Sequence, residues 1–236
     1  MRTLGLVFTL VLGSTLTGAL SAQDVQARLR GRVSPEVQRA VRSIAADASA
    51  RHLPVDPLVQ KAIEGAAKGV PAERVIAAVR ALAGRLAESM DAVRAAGVAA
   101  PSGDVVEGGA DALNAGISRS QVSDLVRVSQ PPYDPALALR VAATLAALGV
   151  PATQALQLVE GMISAGGSPS DLLGLPGQVQ AGVARGSTPA QAAAGLARAD
   201  GGTPPGRTDG WVPPGQTNPN KPPPNPHKPP PNPHKP

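Results

Sequence analysis

The stretch Lys68-Gly69-Val70-Pro71-Ala72-Glu73-Arg74-Val75 places a helix stop directly before a helix start. Gly69 suits the left-handed conformation just past a helix, and Pro71 suits the beginning of the next one. The same order of residue types recurs at Ala115-Gly116-Ile117-Ser118, Leu148-Gly149-Val150-Pro151, Gly166-Gly167-Ser168-Pro169 and Arg185-Gly186-Ser187-Thr188-Pro189. The sequence therefore predicts an all-α fold of short antiparallel helices joined by Gly-Val-Pro and Gly-Ser-Pro turns.

Helix start signals are frequent between these turns. Pairs of an N-cap residue and a proline occur at Ser34-Pro35, Asp56-Pro57, Asp134-Pro135, Ser168-Pro169 and Thr188-Pro189. Proline is favoured at the first helical position because its missing N–H has no partner there in any case. We predict helices at Pro35–Arg51, Pro57–Lys68, Pro71–Ala96, Asp104–Ala115, Arg119–Val128, Pro135–Leu148, Pro151–Ala165, Pro169–Arg185 with a break near Pro176, and Pro189–Ala199.

The spacing of apolar residues agrees with helices. The longest predicted helix carries one apolar stripe with steps of three or four residues, formed by Val75, Val79, Leu82, Leu86 and Met90. The segment from Leu137 to Leu148 is apolar nearly all round, which predicts a central helix. Glycine inside a helix costs about 0.5–1 kcal/mol relative to alanine. We therefore expect helix backbones to touch at Gly65, Gly69 and Gly108-Gly109; the alternative is that these helices are weak or frayed.

Repetition along the chain is incomplete. The five turn glycines lie 47, 33, 17 and 20 residues apart, so they share no single period. Ile63-Glu64-Gly65, Val106-Glu107-Gly108 and Val159-Glu160-Gly161 echo one another ahead of similar turns. An irregular helical-hairpin array and a compact bundle fit this pattern equally well. The helical domain is predicted over residues 23–200, with Ala99 to Gly103 as the candidate for a subdomain break.

Residues 1–22 have the features of a secretory signal peptide. Arg2 precedes the apolar run from Leu4 to Leu12, and Ala19 and Ser21 are small residues at the positions expected before a cleavage site. The alternative is an uncleaved membrane anchor, which glycine, serine and threonine residues in the second half disfavour. We expect cleavage after Ser21 or Ala22 and a periplasmic or secreted mature protein.

Composition excludes several chemistries. The chain of 236 residues has no cysteine, which excludes disulfides and thiolate sites, and its three aromatic residues are Phe8, Tyr133 and Trp211. The formal charge of +5 comes from the two ends, because residues 23–200 hold 17 bases and 16 acids. A nearly neutral body without an aromatic platform is not expected to bind nucleic acid.

Residues 201–236 form a Pro-rich tail with two KPPPNPH repeats. Almost nothing in it can be buried, which predicts disorder with polyproline II character. At about 3.1 Å per residue, its 36 residues reach on the order of 110 Å when extended. His227 and His234 are about 20 Å apart in an extended chain, too far for one metal ion. The tail is therefore interpreted as a basic spacer.

No catalytic constellation accompanies the remaining candidates. His52 is the one histidine outside the tail, and it follows a predicted helix without a nucleophile motif. Glu64, Glu107 and Glu160 recur at similar positions, but sugar-cleaving carboxylates would need a cleft lined by aromatic residues. The Arg-rich start (Arg28, Arg30, Arg32, Arg39, Arg42) is a weak candidate for an anionic surface. We assign no catalytic, cofactor-binding or metal residue, no cofactor and no small-molecule substrate.

These features predict an exported, non-enzymatic helical protein that binds a protein partner or a component of the bacterial envelope. In this hypothesis the Pro-rich tail spaces or attaches the helical body. The alternative is an adhesion protein in which the basic tail itself binds an anionic envelope polymer. The identity of the partner and the oligomeric state stay open at this level.

Overall fold

The computed structural model describes residues 22–200, and this part of the chain consists of ten helices without a strand. The helices are α1 (Ala22–Leu29), α2 (Pro35–Ala50), α3 (Asp56–Ala67), α4 (Ala72–Ala95), α5 (Gly103–Asn114), α6 (Arg119–Val128), α7 (Pro135–Ala147), α8 (Ala152–Ser164), α9 (Pro169–Ala184) and α10 (Pro189–Asp200). The predicted all-α fold is confirmed. Apart from Ala22, the predicted signal peptide lies outside the described residues, as does the tail over 201–236.

The glycine turns share one hydrogen-bonding geometry. Gly69, Gly116, Gly149, Gly166 and Gly186 all have positive φ, as the sequence predicts. In the first turn the N–H of Gly69 donates to the Ala66 carbonyl and the N–H of Val70 donates to the Gly65 carbonyl, both at 3.0 Å. This pair of bonds is the Schellman motif, which satisfies carbonyls at a helix end. The next residue is the N-cap of the following helix, so each of the five linkers turns the chain within four residues.

Helix packing follows chain order. Every pair of described helices with substantial contact is one or two positions apart, as in α5 with α7 or α8 with α10. Among the described helices no substantial contact joins more distant pairs, which is the connectivity expected of a helical-hairpin array, one of the two predicted arrangements. The predicted central helix, α7, packs against α5, α6, α8 and α9.

Buried apolar residues form two clusters that meet along α4 and α5. One cluster extends from α1 to α5, and the other extends from the end of α4 to α10. Helix α4 contributes Met90 to the first cluster and Val93 to the second, while α5 contributes Val106 and Val105 respectively. The loop between these two helices covers most of the predicted subdomain break at Ala99 to Gly103, which stays a prediction.

Three local predictions are wrong. Helix α1 was not predicted, because only Val25 and Leu29 mark its buried side. Helix α3 begins at Asp56 rather than after it, since the Asp56 carboxylate pairs with Arg28 and accepts from Gln60 instead of capping the helix. Helix α9 continues through Pro176 without a break. Its one buried face, which includes Leu172, holds the segments on both sides of Pro176 against the core.

Interior glycines mark close approaches between helices. A Cβ added to Gly108 would lie 3.1 Å from the Ala136 carbonyl oxygen and 3.3 Å from the Leu139 Cβ, where α5 meets α7. A Cβ on Gly65 would lie 2.9 Å from Val75. Gly69 is an exception to the prediction, because an added Cβ there would meet nothing within 4 Å and its role is the positive φ.

Gly182 on α9 provides a test of this packing. A Cβ at Gly182 would lie 2.7 Å from the Cβ of Ala192 on α10, and neither atom can move without its helix. We expect Gly182→Ala to lower the free energy of unfolding by about 1–3 kcal/mol, the usual cost of overpacking. Urea unfolding followed by circular dichroism measures it.

Gly177→Ala is the matched control on the same helix, because nothing lies within 4 Å of an added Cβ there. It should raise the free energy of unfolding by about 0.5–1 kcal/mol through helix propensity alone. Equal effects of the two substitutions would contradict the close approach of α9 and α10.

Candidate functional site

An apolar groove lies between α7 and α9. It has a volume of about 560 Å³ and is lined by Asp134, Leu137, Arg140, Val141, Thr144, Leu173 and Pro176. We call it the α7–α9 groove. Its apolar lining comes from Leu137 and Val141 on α7 and from Leu173 and Pro176 on α9. The groove can hold an apolar segment of chain, but it presents no nucleophile positioned beside a base.

Leu173 is the most exposed large apolar side chain among the described residues, with 61% of its surface accessible. Its neighbours Leu172 and Leu175 are fully buried in the core, so α9 has turned Leu173 away from that core. An exposed leucine beside an apolar groove is typical of a surface that another chain covers.

Asp134 and Arg140 are the charged residues that line this groove. Asp134 is the N-cap of α7 and accepts from the Ala136 N–H at 2.9 Å. Arg140 reaches across to α5, where its Nη2 lies 3.1 Å from Oδ1 of Asp104. Both side chains are held by partners on the helical body, so the charged rim is ordered without a ligand.

A second cleft, the acidic cleft, lies among α3, α4 and α5. It measures about 430 Å³ and is lined by Pro57, Gln60, Lys61, Glu64, Leu82, Leu86, Glu107, Ala110 and Asp111. The structure thus brings together Glu64 and Glu107, two of the three glutamates singled out in the sequence. The third, Glu160, lies on α8, where burial and the charge of Asp124 raise its pKa.

The carboxylates of the acidic cleft differ in their environment. Hydrogen bonds from Lys68 and Lys61 lower the pKa of Glu64. Burial raises the pKa of Glu107, against the opposing charge of Arg140, and burial also raises the pKa of Asp111. None of the residues that line the cleft is aromatic, so the sugar-stacking surface that a glycosidase needs is missing there.

The structure also shows which groups the other candidate residues contact. In the Arg-rich start, Arg28 pairs with Asp56. Arg42 donates a hydrogen bond to Gln26 at 3.1 Å, and Arg42 and Arg39 both line a shallow surface depression. Tyr133 is buried, and its hydroxyl donates to the carbonyl of Gly167, which ties the chain before α7 to the turn before α9. Within residues 22–200 no group of three or more histidine, aspartate or glutamate side chains could hold a metal ion.

His52 lies at the end of α2, as the sequence predicts, and takes the position that glycine holds in the other turns. Its φ is +58°, its N–H donates to the Ser49 carbonyl at 3.0 Å, and the Leu53 N–H donates to the Ala48 carbonyl at 2.9 Å. A side chain in this left-handed conformation costs about 1–2 kcal/mol. The geometry therefore gives His52 a role in the turn.

Comparison with known proteins returns no relative. No protein-family model matches the chain, and no curated protein and no solved structure is significantly similar to it. Within the described helices, none is long and apolar enough to cross a bilayer.

The turn at His52 gives one prediction. His52→Gly should raise the free energy of unfolding by about 0.5–1 kcal/mol, because relief of left-handed strain exceeds the added freedom of the unfolded chain. Gly116 has a φ of +89°, and no atom lies within 4 Å of a Cβ added there. Gly116→Ala should therefore lower the free energy of unfolding. Thermal and urea unfolding measure both, and a destabilised His52→Gly protein would show that the imidazole makes a contact of its own.

The acidic cleft gives a prediction about pH. Because burial raises the pKa of Glu107 above its ordinary value of 4.5, the folded state binds more protons than the unfolded state between the two values. Ionisation of Glu107 therefore costs stability as pH rises through that window. Glu107→Gln should be more stable than the wild type at pH 7 and should show no advantage below pH 4.

Glu64→Gln is the control from the same cleft. The pKa of Glu64 is lowered by its lysine partners, so its contribution to stability is present above the ordinary value and is lost as pH falls. The variant should lose stability at pH 7 rather than gain it. Urea midpoints at pH 4 and pH 7 test both signs, and a gain in both variants would contradict the assigned environments.

Proposed function

We propose that this protein is an exported, non-enzymatic interaction module of the bacterial envelope, and that its helical body binds another protein at the α7–α9 groove. The observation that carries the proposal is Leu173, exposed beside Pro176 and Leu137 in an apolar groove of about 560 Å³. Full burial of an exposed leucine gives about 1.5–3 kcal/mol, and the accessible 61% of Leu173 would contribute the larger part of that to binding.

The architecture supports this proposal. An array in which each helix contacts only its near neighbours presents an extended surface, and such arrays commonly serve as binding scaffolds. The signal-like segment over 1–22 supports export, and the Pro-rich segment over 201–236 would space the body from its attachment point. The partner is a protein that offers an apolar segment, because four of the seven residues that line the groove are apolar.

The test is capture from envelope extracts with the full chain as bait. Leu173→Asp should reduce recovery of the specific partner at least tenfold, because it places a charge where an apolar contact forms. Val183→Asp is the matched control: Val183 lies on the same helix, is 41% exposed and does not line the groove, so recovery should be retained.

Two outcomes would contradict the proposal. Equal recovery with both variants would show that the α7–α9 groove does not take part in partner binding. Recovery that persists in Leu173→Asp but is lost at high salt, or when Lys221, Lys228 and Lys235 are changed to Gln, would favour the alternative in which the basic tail binds an anionic envelope polymer.

A further inference from the structure

The tail contains a short apolar motif that stands out from its surroundings. Across residues 201–236, Trp211 and Val212 are the only apolar side chains apart from proline, and Pro213-Pro214 follow them directly. All other residues of the tail are proline, glycine, polar or charged. A spacer needs no tryptophan, whereas tryptophan is enriched among the residues that dominate binding energy.

The exit point of the chain places this motif within reach of the α7–α9 groove. Helix α10 ends at Asp200 and packs against α9, which forms one wall of the groove. Trp211 follows Asp200 by eleven residues, which span about 34 Å in the polyproline II conformation. The 16 residues of α9 are about 24 Å long. An extended linker is therefore longer than α9, the helix that forms one wall of the groove.

The groove matches the chemistry of this motif. Leu137, Leu173 and Pro176 offer apolar surface to an indole ring and to the prolines beside it.

We propose that Trp211-Val212-Pro213-Pro214 docks into the α7–α9 groove of the same molecule and covers Leu173 until a partner displaces it. This inference rests on the proposed function, since it names the resident occupant of the same groove. Linkage through eleven residues gives the motif a high effective concentration, so weak contacts suffice to hold it.

The test uses Trp211 itself, because it is the only tryptophan of the chain. Its emission maximum and its quenching by acrylamide are measured in the full chain and compared with the same chain in denaturing urea. We expect blue-shifted, protected emission in the native protein. Leu173→Asp should reduce the ratio of docked to free tail about thirtyfold, which moves both readouts to the urea values.

Two further variants keep the test decisive. Val183→Asp should leave Trp211 protected, because it adds the same charge to α9 outside the groove. Val212→Asp changes the tail alone and cannot disturb the described helices, yet it should expose Trp211 as Leu173→Asp does. Far-UV circular dichroism checks that the helices are intact in each variant.

Several results would overturn the inference. These are native emission identical to that in urea, protection that persists in Leu173→Asp, and exposure caused equally by Val183→Asp. Emission that depends on protein concentration would assign the groove to the tail of a second copy and would also overturn docking within one molecule. Partner capture is read separately: an exposed Trp211 with capture that depends on Leu173 would end this inference and leave the proposed function standing.

Discussion

The left-handed residue at the end of a helix is the constraint on which the rest of this structure depends. Six glycines and His52 take positive φ at helix ends where the following N–H bonds back to a carbonyl five residues earlier. This geometry satisfies two carbonyls at the helix end and turns the chain sharply. In the five glycine linkers, the residue two positions after the glycine is the N-cap of the next helix. Five of these corners have a four-residue linker, so successive helices fold back on near neighbours. The array connectivity of the described helices follows from that local rule.

Much of the fold could be predicted because these helix ends depend on the type of single residues at the cap positions. Ser34, Asp134 and Ser168 cap helices as their types indicate, and the boundaries of α6 agree with the prediction at both ends. The errors arise where a distant partner overrides the local signal. Asp56 pairs with Arg28, 28 residues away in the chain, instead of capping α3. Core contacts on one face of α9 keep the helix continuous through Pro176. No local pattern contains that information.

The candidate site was less predictable than the fold for the same reason. Leu172 and Leu173 are indistinguishable by type, and only their angular position against the buried stripe decides which one faces the core. The repeated Glu64, Glu107 and Glu160 suggested equivalent positions. The first two share the acidic cleft because α3 and α5 both border α4, while Glu160 belongs to α8. Contacts between helices, rather than residue types, determine which side chains share a surface.

The scarcity of aromatic residues links the packing to the surface. A core of alanine, valine and leucine lets helices approach closely, as where a Cβ on Gly182 would lie 2.7 Å from that of Ala192. Such interfaces have no room for an indole, and the single tyrosine that is buried lies at the junction of two loops rather than between helix faces. The apolar surface that could take a large aromatic side chain is therefore found outside these helix interfaces. The α7–α9 groove is a surface of suitable size and apolar character for that purpose.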